Sequence, residues 1–447
     1  MIADPAAETA EPGQRRALQA QRLTSLVRYV ITRVPFYAER LDGAGIKPDD
    51  DLGVDDLARL PLTTKDDLRD NYPLGLLAVP AAELARIHAS SGTTGKPTVV
   101  AYTAADLDLF AEVVARCLAM AGAEPAMMLH NAYGYGLFTG GLGLHAGAER
   151  LRMTVVPVSS GMTERQLTLI SDLRPDVIAA TPSYALTLAQ AFRERGTGPA
   201  DISLRYALLG AEPWTEAMRT EIDAALGVRS TNIYGLSEII GPGVANECVE
   251  ARAGSHINED HFLPEIVDPQ TGDVLADGQE GVLVLTTLTK QAMPLLRYWT
   301  GDITSLSHDP CACGRTLVRM APIKGRADDM LIVRGVNVYP TQVGEVLSRV
   351  PGSSPHFQLV VTREATLDEL EVRVEVTEEY FRAVAAEVLS EDVIEADHTL
   401  RAHRDQATRL LHETIGIHAR VTLVAPGETP RSQGGKLQRV DDRRHLG

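Results

Sequence analysis

Basic residues are in deficit in this chain: 43 Lys and Arg face 60 Asp and Glu, a formal net charge of -17. That argues against nucleic acid or an anionic membrane as the main partner of the surface, and it makes each Lys or Arg inside a motif more informative. Cysteine is scarce as well. Four in 447 residues, two of them in Cys311-Ala-Cys313, do not make a secreted disulfide framework, so a reducing cytoplasm is the simpler expectation. No run of about 18 apolar residues could span a bilayer. The start, Met1-Ile-Ala-Asp-Pro-Ala-Ala-Glu8, has neither the basic residues nor the apolar core of an export signal; a soluble, unexported protein is expected. Internal repeats and low-complexity tracts are missing too. A chain of 447 residues buries sizeable cores without staples and has room for two domains or more.

One further absence concerns the stretch Ser90-Ser-Gly-Thr-Thr-Gly-Lys-Pro-Thr98. A Walker loop has a glycine five residues before its Gly-Lys pair; Ser90 stands there, so a different nucleotide chemistry is implied. What is present still suits phosphate. Gly92 and Gly95 let the backbone turn tightly and aim N–H groups inward, Ser91, Thr93 and Thr94 add hydroxyls, and Lys96 adds a mobile charge. Pro97 stops a helix from starting there.

Apolar spacing over residues 14–40 predicts one or two amphipathic helices. Asp49-Asp-Asp-Leu and Thr63-Thr-Lys-Asp-Asp-Leu read as loop-to-helix entries. Residues 99–103 read as a strand and 104–121 as a long helix. Apolar runs at 154–158, 177–180 and 206–209 then alternate with helical stretches at 163–173, 183–195 and 215–226, which favours an α/β domain on a largely parallel sheet. Turns at Pro269-Gln-Thr-Gly272 and Asp277-Gly-Gln-Glu-Gly281 separate strands at 262–267 and 282–288, a β-rich subdomain. From 330 onward, strands at 330–333, 358–362 and 371–376 and a helix near 340–349 predict a compact α+β domain. The fold class expected is therefore α/β: a large N-terminal domain, 1–327, with a β-rich subdomain, and a small mobile C-terminal α+β domain, 328–447.

Further motifs follow in order: Asn131-Ala-Tyr-Gly-Tyr-Gly-Leu-Phe-Thr-Gly140, Gly210-Ala-Glu-Pro-Trp214, Tyr234-Gly-Leu-Ser-Glu238, Gly241-Pro-Gly-Val244, Tyr298-Trp-Thr-Gly-Asp302, Gly325-Arg-Ala-Asp328, Gly335-Val-Asn-Val338 and Gly434-Gly-Lys436. With the 90–98 loop, this set resembles the adenylate-forming superfamily of acyl-CoA synthetases, and more narrowly the phenylacetate-CoA ligase family, from about residue 20 to Arg444. The resemblance implies two steps: a carboxylate attacks the α-phosphate of ATP, giving an acyl adenylate and pyrophosphate, and a thiol, usually of coenzyme A, then displaces AMP.

It also implies roles. The loop amides with Ser91, Thr93, Thr94 and Lys96 stabilise the leaving pyrophosphate. Glu238 supplies the hard oxygen ligand that Mg2+ needs, beside Ser237. Tyr234 and Gly235 lie against adenine, and Gly210, Ala211, Glu212 and Pro213 line its pocket. Asp302 accepts both ribose hydroxyls, as a carboxylate can, and Arg326 adds a contact to ribose or phosphate; a surface salt bridge is its plain alternative. Lys436 orients the two anions during adenylation only. Asp328 is the hinge about which the small domain turns between steps, and Gly335 leaves room for the pantetheine arm. A homodimer is implied as well.

Tyr133, Tyr135, Gly136 and Phe138, with Leu144, Ala211 and Gly235, suggest a flat aromatic-lined slot for an aryl acid. Three positions depart from the family: Leu144 in Gly143-Leu-His-Ala146, Trp299 for an arginine, and Asn258 for a tryptophan. Phenylacetate and a substituted benzoate both remain open, with His145 as a polar partner for the latter. The acceptor is coenzyme A or the phosphopantetheine arm of a carrier protein. Kinase-type phosphoryl transfer lacks its signatures, and the full set Lys96, Glu238, Asp302 and Lys436 speaks against a non-catalytic adenylate binder. Separately, Cys248, His256, Cys311 and Cys313 could complete a structural zinc tetrahedron, although Cys-x-Cys is tighter than the usual zinc spacing; a pair of reduced thiols in a turn is the alternative. Cys117 reads as core.

Overall fold

The computed structural model describes residues 1–89, 97–327, 331–334, 336–364, 367–384, 388–431 and 439–444. Two compact units emerge: Met1–Thr181 with Thr187–Ala211 and Asp223–Pro322, and Pro182–Leu186 with Glu212–Ile222 and Ile323–Gly447. Asp328, the expected hinge, lies outside the described residues.

The first unit is built on a nine-stranded sheet, in the order Leu306–Ser307, Arg319–Met320, Ser255–Ile257, Gly241–Glu247, Arg229–Leu236, Tyr206–Gly210, Val177–Ala180, Met128–Asn131, Thr154–Val156. From Thr154–Val156 to Arg229–Leu236 every pairing is parallel, as the alternating pattern predicts. Beyond it the pairings turn antiparallel. The reason is loop length: only residues 237–240 separate Arg229–Leu236 from Gly241–Glu247, and so short a link admits a hairpin but no crossover. Beside this sheet, Phe262–Val267, Gly281–Thr287 and Tyr298–Thr304 pair as an antiparallel meander, the expected β-rich subdomain.

Pro12–Arg33 and Pro35–Gly43 are the two N-terminal helices. Thr64 caps Lys65–Asp70 in a capping box with Asp67, as its sequence suggests. After Asp49-Asp-Asp-Leu no cap forms at the aspartates; a 3-10 helix starts at Val54, with Asp56 accepting from the Gly53 amide. Thr103 and Asp106 box the start of Ala104–Met120, where Cys117 is fully buried.

Thr139–Arg150 is a helix that the sequence does not announce, since its four glycines disfavour one. The glycines serve close approach. A Cβ on Gly143 would stand 2.2 Å from the Phe110 ring, and one on Gly147 2.3 Å from Val114, both on the long helix alongside. Gly241 and Gly243, at φ +107° and +111°, meet the same helix at Phe110 and Val113.

The second unit has a four-stranded sheet, Arg420–Val424, Leu367–Val376, Ser353–Glu364, Val440–Asp442, with Leu359, Val372 and Leu423 in a core shared with Val343 of the Pro340–Leu347 helix and Leu400 and Leu411 of His398–Ile415. Strands on one face and helices packed on it give the expected α+β domain. No helix among the described residues is long and apolar enough to cross a membrane.

Candidate active site

The Arg229–Leu236 strand and the hairpin turn after it carry Tyr234, Gly235, Ser237 and Glu238. Their glycine is obligatory: a Cβ on Gly235 would sit 1.9 Å from the Gly241 carbonyl oxygen, and one on Gly210 2.2 Å from that of Ile233. Ala211 follows at φ +70°, a left-handed conformation uncommon outside glycine and a mark of strain near sites.

The Tyr234 hydroxyl donates to Asp302 Oδ2 at 2.6 Å across 68 residues of sequence, so two residues singled out separately meet in space. A bulge aims Asp302. Trp299 pairs with Val284 and Ile303 with Val282, which leaves Thr300, Gly301 and Asp302 opposite Leu283 alone, and Gly301 takes φ +82°. Thr300 stitches the bulge by donating to Leu283 O at 2.7 Å and accepting from Asp302 N at 3.0 Å. Bulges commonly re-aim a side chain next to a site.

Glu238 is buried, as is Ser237, whose hydroxyl lies 3.2 Å from that of Thr139. Beneath the turn are two residues that motif reading passed over. The Tyr102 hydroxyl donates to the carbonyls of Ser237 and Ile240, at 3.3 and 3.0 Å, and Lys290 Nζ donates to the Glu238 carbonyl at 2.9 Å. Lys290 is 2% exposed, and burial pulls its pKa down to about 8 against the opposing pull of Asp106 and Glu238. Nothing in Leu288-Thr-Lys290-Gln marks it; a lysine ahead of an apolar stretch reads as solvated.

The aromatic run is organised by Asn131. Its Nδ2 donates to Tyr135 Oη and to Gly141 O, both at 2.8 Å, and Tyr135 Oη lies 3.2 Å from His145 Nδ1. Burial pushes the Tyr135 phenol up to about 12. Tyr133, 3% exposed, donates to Gly210 O at 3.1 Å, joining the aromatic run to the adenine motif. Gly136 is exposed, Phe138 half-buried, and Leu144 fully buried on its helix. Asn258 spends its amide on Gly243 O at 2.8 Å, and the Trp299 amide donates to Thr63 O at 2.8 Å. The Asn258 side chain is thus part of the sheet's own hydrogen bonding, whereas the Trp299 bond is made by its backbone and would be open to any residue but proline there.

In the second unit Glu212 accepts from Ser183 N at 2.6 Å, Pro213 is exposed and Arg326 half-buried. Ser91, Gly92, Thr93, Thr94, Gly95, Lys96, Gly335 and Lys436 lie outside the described residues.

Cys248, His256, Cys311 and Cys313 converge, one ligand atom from each within 4.8 Å of the others. Cys248 Sγ lies 3.6 Å from Cys311 Sγ, and Cys313 Sγ 3.4 Å from His256 Nε2. A zinc tetrahedron with the usual bond lengths has S···S edges of about 3.8 Å and S···N edges of about 3.6 Å, close to the Cys248–Cys311 and Cys313–His256 separations, and three thiols with one imidazole are a donor set that suits the ion. A disulfide would need about 2.0 Å. His256 Nδ1 faces Leu317 O at 3.4 Å, the kind of contact that fixes the tautomer of a ligating imidazole.

A family model described as AMP-binding enzyme matches residues 15–291, and one described as AMP-binding enzyme C-terminal domain matches 335–444. The phenylacetate-coenzyme A ligase of Thermus thermophilus is 65% identical over 444 residues, 99% of this chain and 100% of that protein. The Escherichia coli K12 protein of the same name is 49% identical, over 98% of this chain and 97% of its own length. Among solved structures, 2-hydroxyisobutyryl-CoA ligase in the postadenylation state, in complex with 2-HIB-AMP, matches at a TM-score of 0.89 and 29% identity, over 98% of this chain and 92% of that one. With these likenesses added to the motif set and to the Tyr234–Asp302 pairing, the chain belongs to the phenylacetate-coenzyme A ligase family of AMP-binding enzymes.

Proposed function

We propose that the chain is an AMP-forming ligase that activates phenylacetate with Mg-ATP and passes the acyl group to coenzyme A. The observation that carries this is 65% identity along 99% of the chain to a protein named for that reaction. Phenylacetate is preferred to a substituted benzoate in this reading because the relatives matched along nearly their whole length are named for it. The relatives matched along their whole length are named for coenzyme A, which leaves the carrier-protein acceptor without support.

In this reading Glu238 ligates Mg2+, Asp302 holds the ribose, Tyr234 with residues 210–213 and 235 bounds the adenine, and Arg326 reaches the ribose or phosphate. Ser91 to Lys96 hold the pyrophosphate, Lys436 acts in adenylation, Asp328 is the hinge and Gly335 borders the pantetheine arm. Tyr133, Tyr135, Gly136, Phe138 and Leu144 bound the acid. The Cys3His cluster holds one structural zinc. The family resemblance further supports a cytoplasmic homodimer.

The test is pyrophosphate release with Mg-ATP across phenylacetate, benzoate and their hydroxy and amino derivatives, with and without coenzyme A, the thioester being followed by mass. Phenylacetate is expected to be preferred and the thioester to form. Preference for a substituted benzoate would overturn the acid, and adenylate without thioester would overturn the acceptor. A second expectation concerns the ribose contact. Tyr234→Phe removes one charge-assisted hydrogen bond to Asp302 and should raise KM for ATP by roughly tenfold with kcat little changed, read from steady-state pyrophosphate release.

A further inference from the structure

Lys290 is a buried cation beside the Glu238 turn with no role in the proposed chemistry. Its ammonium is almost wholly out of water, 2.9 Å from the Glu238 carbonyl oxygen and 5.1 Å from the centre of the Tyr102 ring. Burying an ammonium is costly and is offset only by good partners; a methionine would fill the same place without that cost. The segment around it is held in turn. Asp106 accepts from Gln291 N at 2.6 Å and from Ala292 N at 2.9 Å, while also capping its own helix. Tyr102 closes the other side, donating to Ser237 O and Ile240 O, and Leu236 O is taken by the Ile239 and Ile240 amides. The carbonyls of Leu236, Ser237, Glu238 and Ile240 are thus all engaged, those of Ser237, Glu238 and Ile240 by the buried side chains of Tyr102 and Lys290.

We propose that Lys290 is a positioning residue for magnesium: with the Tyr102 hydroxyl it clamps the carbonyls of the 237–240 turn, so that the Glu238 carboxylate is presented to the ion in one orientation. Groups behind a metal ligand tune affinity in this way even though they never touch the ion. The inference rests on the assignment of Glu238 as the Mg2+ ligand.

The test titrates Mg2+ at fixed ATP in wild type, Lys290→Met and Tyr102→Phe. Lys290→Met is expected to raise the Mg2+ midpoint for pyrophosphate release by about tenfold or more, and Tyr102→Phe by about threefold. KM for phenylacetate, and thioester formation from supplied phenylacetyl adenylate, should stay within about twofold. A folded Lys290→Met protein with a wild-type Mg2+ midpoint overturns the proposal. If Lys290→Met does not fold, Tyr102→Phe decides, and an unchanged midpoint there overturns it equally. Failure of the functional reading looks different: the wild type would then release no acid-dependent pyrophosphate, and the Mg2+ dependence of ATP binding, measured calorimetrically without acid, would still report on Lys290.

Discussion

Lys436→Ala is expected to abolish most acid-dependent pyrophosphate release, by roughly 10^2- to 10^3-fold, while thioester formation from supplied phenylacetyl adenylate and coenzyme A stays within about threefold of wild type. The split follows from charge in the first step and from the proposed domain turn in the second. In adenylation a carboxylate approaches a phosphate that is itself anionic, and a cation between them is worth most where water is excluded. In the second step charge again develops, on the phosphate of the leaving AMP, but in the proposed mechanism the small domain has by then turned about Asp328 and Lys436 is no longer the group that meets it. Two assays on one variant, pyrophosphate release from ATP and mass detection of the thioester from adenylate, read the two steps separately. Equal loss in both would mean that the substitution acts on folding or on the shape of the cleft, and undiminished adenylation would remove Lys436 from the mechanism.

Why some of this site could be read in the sequence, and some could not, is a matter of how local each constraint is. Gly210 and Gly235 were singled out only by the motifs they sit in; the structure adds the reason for glycine at each, a neighbouring backbone too close to admit a Cβ. Tyr234 and Asp302 were legible one at a time, each inside its motif. Their hydrogen bond was not, because it depends on a bulge opposite Leu283 that the sequence does not encode in any one residue. Thr139–Arg150 ran against its own propensity: glycines that disfavour a helix in isolation are what let it dock on Phe110 and Val114, so tertiary packing won over the local signal. Lys290 is the opposite case. No motif contains it and the sequence reading passes it over; only the fold puts it under the Glu238 turn.

With zinc in the proposed Cys3His site, losing Cys313 should cost the protein far more stability than an ordinary surface change. For Cys313→Ser, the expectation is loss of one bound zinc per chain by metal analysis and a fall in Tm of roughly 10 °C or more, with earlier proteolysis in the 308–317 segment. The size of the effect comes from what the cluster ties together. Cys248 follows Gly241–Glu247, His256 lies in Ser255–Ile257, and Cys311 and Cys313 come from the link between the last two strands of the nine-stranded sheet. One ion in the proposed site would therefore tie Cys248 to Cys311, 63 residues on, and His256 to Cys313, 57 residues on, at the edge of that sheet. The same link anchors the chain's start: Arg315 pairs with Glu8 at 2.5 Å with both side chains buried, it also donates to Met1 O, and Arg15 donates to Thr316 O at 2.7 Å. Freed of its metal, the 311–313 turn would have to hold three thiols and an imidazole together unaided, and the Glu8–Arg315 pair would lose the fixed loop that justifies burying two charges. A Cys313→Ser protein with wild-type Tm, or wild-type protein purified without zinc at full stability, would reduce the cluster to a set of neighbouring thiols.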